Sequence, residues 1–316
     1  MKRCRLPIMP PLLSPGDTVG IVAPASHIPK ANEEYLQQGA ERLREMGFEV
    51  TYSPSLLKKK HLYLAGKDQK RAQELMAMFL DPEVKAILCT RGGYGTQRII
   101  PYLDPELIRG HPKPLVGCSD ITVLLIYLLQ QCLLIPFHGP NVATRQFIEG
   151  NDEMMQSLRG TLTAPAPIAE ITCTVLRAGK AQGDSIEGEI IGGCLSSLVT
   201  TLATTYEPDL QGKVLFVEDV DEPPYKIDRM LTHIKSAGKL AGIKGVIFGQ
   251  MPGCDTENAL LREVIVDALE AIPGPILFNF PSGHGPRNLT IPLGVPIRIH
   301  EGVVSFPGED QADYFE

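Results

Sequence analysis

Short apolar runs separated by helical patterns constrain this chain more than any single residue does. VGIVAPAS (19–26), EVTYS (49–53), VKAILCT (84–90) and KPLVGC (113–118) read as strands. Their hydrophobicity is continuous rather than alternating, which suits a sheet covered on both faces. Between them, residues 31–47 carry Leu36, Ala40, Leu43 and Met46 on one helical face and stop at Gly47, and a second helix is expected around 69–79. Strand–helix alternation of this kind predicts a parallel, doubly wound α/β domain.

The pattern weakens between 150 and 188, where TLTAPAPIAEI holds two prolines. Residues 151–187 are therefore expected to be a linker or crossing segment between an N-terminal α/β domain, 1–150, and a smaller strand-rich α/β domain, 188–316. GKVLFVE, KGVIFGQ, PILFNF, PIRIH and GVVSF supply the strands of the second unit. Two domains feeding one cleft is a common setting for a site. The chain has 316 residues, 43% of them hydrophobic and 21% charged, ample for a core and far from a disordered composition. A net charge of −7 argues against general nucleic-acid binding. The longest apolar stretch, Ile121–Leu129, suits a core helix and is too short to span a bilayer. Pro7, Pro10 and Pro11 interrupt any secretory core. Seven scattered cysteines without metal or redox spacing read as reduced core residues in a cytoplasmic protein.

Within PLVGCSDITVLL (114–125), Ser119 and Asp120 sit where a strand gives way to a helix. One reading is a helix cap. The other is a nucleophile lifted out of the sheet at a tight turn, with Gly117 giving the room and Ile121 standing where a full elbow has glycine. Cys118 is a second candidate nucleophile whose alternation with Val116 points it inward.

A serine nucleophile needs a base and a group to orient it. Of seven histidines, His284 stands out in the loop PSGHGPRN after the strand PILFNF, with His138 in PFHGPN as its competitor; either can equally be a turn histidine bonded to backbone. Glu218 ends the strand GKVLFVE and is placed to orient a neighbouring imidazole. Asp219, Asp221 and Glu222 precede a helix beginning near Pro224, where acidic groups favour the helix dipole. No His-x-x-x-His or paired-cysteine motif accompanies them, so neither metal nor cofactor is expected. The loop CTRGGYGTQRI lets backbone approach a ligand through Gly92, Gly93 and Gly95, either as a phosphate cradle without its lysine or as an oxyanion and substrate loop.

Taken together and in order, PGDTVGIVAPAS, RGGYG, VGCSDIT, FHGP, GGCLSSL, VLFVEDVDEPPYKIDRML and GHGPRNLTIPLG resemble the LD-carboxypeptidases, serine peptidases that include muramoyl-tetrapeptide carboxypeptidases and microcin-immunity enzymes. The resemblance spans nearly the whole chain. It implies a flavodoxin- or glutamine-amidotransferase-like N-terminal domain carrying Ser119, and a C-terminal domain carrying Glu218 and His284 as the rest of a triad. It also implies Gly93 and Asp120 N–H groups as the oxyanion hole, a homodimer, and cytoplasmic recycling of cell-wall peptides by removal of a terminal D-alanine. A peptidyl-nucleotide conjugate is the alternative substrate, and a non-catalytic ligand-binding protein the alternative class. Arg91, Gly92, Tyr94, Lys226 and Arg287 are the candidates for holding substrate. Cys194 departs from the family's Gly-Gly-Asn-Leu pattern and puts a local polar contact in question.

Overall fold

The computed structural model describes residues 6–164, 168, 170–179, 185–255 and 260–306. The four early apolar runs become β1 (Thr18–Val22), β2 (Glu49–Tyr52), β3 (Val84–Cys89) and β4 (Leu115–Gly117), followed by a short β5 (Phe137–His138). They lie parallel in the order β2-β1-β3-β4-β5, the flavodoxin-like winding, whose switch point falls between β1 and β3. The helix Glu33–Glu45 buries Leu36, Gly39, Ala40 and Leu43 on one face, and Gly47 just beyond it takes φ +94, a left-handed stop suited to glycine. Asp68–Leu80 forms the second expected helix.

Residues 151–187 hold a helix, Asp152–Thr163, capped by the Asn151 side chain, and two short strands, β6 (Ile171–Thr172) and β7 (Thr174–Arg177). Prolines 165 and 167 of that segment lie outside the described residues. The chain then builds β8 (Ile186–Cys194), β9 (Val214–Glu218), β10 (Gly245–Phe248) and β11 (Ile276–Phe278), with β12 (Ile291–Pro292), β13 (Pro296–His300) and β14 (Val303–Ser305). The second sheet runs β6-β14-β13-β8-β9-β10-β11-β7, and its centre, β8 to β11, is parallel. β12 instead crosses to the first sheet and pairs antiparallel with β5.

Thr122–Gln130 is apolar all round, and every residue from Thr122 to Leu129 is buried. A helix of that kind needs cover on all sides. It finds it between β4 and β5 on one side and β8 on the other. The approach to β8 is close: a Cβ on Gly193 would lie 2.6 Å from Thr122 Oγ1, and that hydroxyl accepts the Cys194 N–H at 3.0 Å. The carboxyl ends of both parallel centres therefore meet at one seam. Six cysteines among the described residues are free and buried.

The glycines of GGCLSSL are required by this packing. Gly192 (φ +144) lies opposite Phe216 of β9, and a Cβ there would fall 1.8 Å from the Phe216 carbonyl oxygen. Gly192→Ala is expected to cost at least about 3 kcal/mol, read from the urea midpoint; a loss below about 1 kcal/mol would contradict this account of the β8–β9 contact.

Candidate active site

Ser119 follows β4 with φ +65, a conformation uncommon for a residue with a side chain. Neither Ser119 nor Asp120 caps the following helix with its side chain. The Asp120 carboxylate turns back and accepts the Thr96 N–H at 2.8 Å and the Thr96 hydroxyl at 2.5 Å, tying the glycine loop after β3 to the serine turn. Burial raises the Asp120 pKa, with the Thr96 hydrogen bonds acting against it. Ile121 is tolerated at the elbow because Gly117 gives way, since a Cβ at 117 would lie 2.7 Å from the Ile121 side chain.

The glycine loop lies directly on the serine. A Cβ at Gly92 would sit 2.6 Å from Ser119 Cβ, 2.7 Å from its Oγ and 3.0 Å from the Asp120 nitrogen. Gly93 (φ +97) packs as closely on Ser26, whose hydroxyl accepts the Tyr94 N–H at 3.0 Å. Ser26 follows β1, so the loop is clamped at the β1/β3 switch point. Among the described residues, no acceptor outside the regular elements takes the N–H of Gly93 or Asp120.

Across the seam, Glu218 ends β9 fully buried, and His284 bonds to it twice: Nδ1 at 2.5 Å and the backbone N–H at 3.0 Å, both to Oε2. Gly283 (φ +127) permits the approach, because a Cβ there would lie 2.8 Å from the same oxygen. Burial opposes charging His284, but the Glu218 carboxylate outweighs it and the imidazole pKa is raised. His138 lies on β5, fully buried, its ring edge-on to Phe216 at 5.1 Å, and burial pushes its pKa down to about 4.

The structure thus joins Glu218 to His284 and Gly92 to Ser119. It draws no direct hydrogen bond between Ser119 and His284. The two halves are held together by side chains around them. Gln146 donates to the carbonyls of Gly283 (2.8 Å) and Gly285 (2.5 Å), and Asn288 reaches Gln146 Oε1 at 3.2 Å and Cys118 Sγ at 3.8 Å. Buried Cys118 has its thiol pKa pushed far up by burial, so it is a poor nucleophile.

Two family models match the chain, the LD-carboxypeptidase N-terminal domain over residues 19–139 and the LD-carboxypeptidase C-terminal domain over 187–299. A probable murein peptide carboxypeptidase of Bacillus subtilis is 39% identical over 90% of this chain and 89% of its own length. The chain belongs to the LD-carboxypeptidase family. Among solved structures, a muramoyltetrapeptide carboxypeptidase from Oxalobacter formigenes superposes with a TM-score of 0.78 at 26% identity, covering 92% of this chain and all of that one, 100%. The microcin C7 self-immunity protein of Escherichia coli is 26% identical over 93% of each chain. Family membership and the carboxypeptidase relatives make this LD-carboxypeptidase chain a serine-type hydrolase.

Other expected contacts are arranged differently from the sequence reading. Asp219 does not lie on the dipole of the helix Pro224–Ser236; its carboxylate accepts the N–H groups of Ser196 (2.8 Å) and Val220 (2.9 Å). Cys194 makes a buried polar contact of its own, its Sγ 3.2 Å from Ser196 Oγ and 3.8 Å from Asp219 Oδ1. Lys226 pairs with Glu222 at 3.0 Å, and Arg287 pairs with Glu153 through two hydrogen bonds at 2.5 and 2.8 Å. Arg91 donates to the His27 carbonyl at 3.3 Å and forms no ion pair among the described residues. Ser26, Thr96, Gln146 and Asn288 had no sequence signal beyond lying in or near the quoted motifs, because their partners lie 24 to 142 residues away. No group of three or more metal-binding side chains is found among the described residues.

A base works only when neutral. On the reading that His284 is the base of a triad, its raised pKa is expected to place the acid limb of kcat/KM above the ordinary imidazole value of about 6.5. Glu218→Gln removes the anion that favours the imidazolium, so the limb moves to lower pH while the plateau falls by about 10³-fold or more. A pH–rate profile of both proteins checks this; an unmoved limb would contradict it.

Proposed function

We propose that Ser119, His284 and Glu218 form a catalytic triad across the seam between an N-terminal domain, 1–150, and a C-terminal domain, 188–316. The observation that carries this reading is the paired Glu218–His284 hydrogen bond lying across from a serine held at φ +65 and backed by glycine. His284 takes the Ser119 proton as Oγ attacks the amide carbonyl. The Gly93 and Asp120 N–H groups receive the oxyanion, each such donor being worth about 3 kcal/mol of barrier. The same imidazole then protonates the leaving amine and activates water to release the acyl-enzyme, with Glu218 ionised throughout. Catalytic hydrogen bonds commonly shorten only around bound substrate, which accounts for the missing Ser119–His284 bond.

The substrate read for this chain is a murein tetrapeptide, cut at an amide bond from an L-configured centre to a terminal D-alanine, in cytoplasmic recycling of cell-wall peptide by a homodimer. Among the described residues no helix is long and apolar enough to cross a membrane. The D-alanine carboxylate calls for a cation or free N–H groups. Of the three candidates, Lys226 and Arg287 already hold carboxylates, whereas Arg91 is half-buried, adjoins Gly92 and pairs with none among the described residues. Arg91 is assigned to that carboxylate, with Gly92 and Tyr94 lining the approach. A second reading, cleavage of a peptidyl-nucleotide conjugate, draws on the exposed Tyr63–Tyr94 ring pair, 5.9 Å between centroids, which offers a stacking face for a base.

Incubation with murein tetrapeptide and with an aminoacyl-sulfamoyl adenylate, read by mass, tests both. D-alanine release from the tetrapeptide alone is expected, abolished in Ser119→Ala and retained in Cys118→Ala. Turnover of only the adenylate would favour the second reading, and full activity of Ser119→Ala would overturn the mechanism. Arg91→Ala is expected to raise KM for the tetrapeptide at least about tenfold, as loss of a charged hydrogen bond of about 1.5–3 kcal/mol requires, and to leave a C-terminally amidated analogue unaffected. Equal loss on both substrates would remove Arg91 from carboxylate recognition.

A further inference from the structure

We propose that His138 is a positioning residue for the Glu218–His284 pair, its neutral imidazole holding the second carboxylate oxygen of Glu218. The inference rests on the triad reading above and deepens it.

Glu218 is bonded unevenly. Oε2 accepts both the ring and the backbone N–H of His284, while Oε1, equally buried, has no partner among the described residues. His138 is buried as completely, and neither of its ring nitrogens has a partner there. Native interiors rarely keep buried polar atoms unpaired, because nothing replaces the hydration they lose. Each lacks what the other offers, and the two side chains are near enough for Glu218 to act on the charge of His138. The His138 ring packs edge-on against Phe216 at 5.1 Å. Phe216 and Glu218 are two residues apart on β9 and so share a face of the strand. A Cβ on Gly249 would lie 3.0 Å from Glu218 Cβ and 3.0 Å from Phe216 Cε2, which fixes how near these side chains are. His138 also pairs in register with Gly117, two residues before Ser119.

The charges around His138 agree with this role. Burial drives its pKa down to about 4, Glu218 acts to raise it and His284 acts to lower it. The Cys118 thiol nearby is held neutral by burial. His138 is therefore a neutral imidazole at working pH, with one N–H to give and one lone pair to accept. No direct hydrogen bond joins its nitrogens to Oε1, so the link proposed is a single bridging water, a common partner of buried polar groups. A carboxylate held at both oxygens cannot rotate away from the His284 ring. The catalytic imidazole thereby keeps one tautomer and one orientation.

The test is a cycle of His138→Met, which removes both nitrogens at similar volume, with Glu218→Gln, alongside His138→Gln, which retains an N–H donor. His138→Met is expected to lower kcat about tenfold or more, the effect that outer partners of a positioned histidine have, with KM unchanged. His138→Gln recovers most of the rate, and in the Glu218→Gln background His138→Met has no further effect. A folded His138→Met enzyme with wild-type kcat overturns the inference, as does an equal loss with and without Glu218, which marks a packing role. If Glu218→Gln alone has wild-type kcat, the triad reading fails first and this inference with it. A high-resolution crystal structure of the unmodified protein is the variant-free check. A water within hydrogen-bond distance of His138 and Glu218 Oε1 is expected, and its absence overturns the link.

Discussion

A carboxylate with no exposed surface is the constraint on which the rest of this structure depends. Removing Glu218 from water costs several kcal/mol unless hydrogen bonds replace the lost hydration. The loop after β11 supplies them, giving Oε2 the ring and the backbone N–H of His284. That demand explains the residues around it. Gly283 and Gly249 carry no side chain because a Cβ at either would meet Glu218 at 2.8 and 3.0 Å respectively. Gln146 and Asn288 reach the same loop from the seam, so the imidazole is fixed by both halves of the chain.

The two sheets solve complementary parts of one problem. In the first, the carboxyl ends of β1, β3 and β4 present Ser26, the glycine loop and Ser119, the usual place for a ligand in a doubly wound sheet. In the second, the ends of β8, β9 and β11 present Cys194, Glu218 and His284. The buried helix Thr122–Gln130 joins them: it begins at the serine turn and receives the Cys194 N–H on Thr122. Backbone strain at Ser119 is held by the glycine loop after β3 at two points, by the packing of Gly92 and by the Asp120–Thr96 bonds.

Much of this was legible in the sequence because it follows local rules. The continuous apolar runs gave the buried strands β1, β3 and β4, whereas EVTYS forms an edge strand, β2, with Glu49 and Thr51 exposed. The periodicity of Leu36, Ala40 and Leu43 gave the first helix with its glycine stop. The polar break at Ser119–Asp120 marked the turn, although the capping alternative failed because the Asp120 side chain is engaged by Thr96 instead. Long-range pairing was not legible. Nothing near Ile291–Pro292 announces that it crosses to the first sheet, and no local pattern links Gln146 to a loop some 137 residues later. Acidic residues before a helix suggested a dipole role for Asp219, but burial turned it toward Ser196 and Cys194, a choice made by tertiary packing alone.

The central claim is that an imidazole carried by one half of the chain activates a hydroxyl carried by the other. Labelling with a serine-directed fluorophosphonate, followed by peptide mapping, tests it most directly. The account predicts a single adduct on Ser119, formed about 10³-fold or more slowly in His284→Ala. An adduct at another residue, or labelling of Ser119 at an unchanged rate without His284, would contradict it.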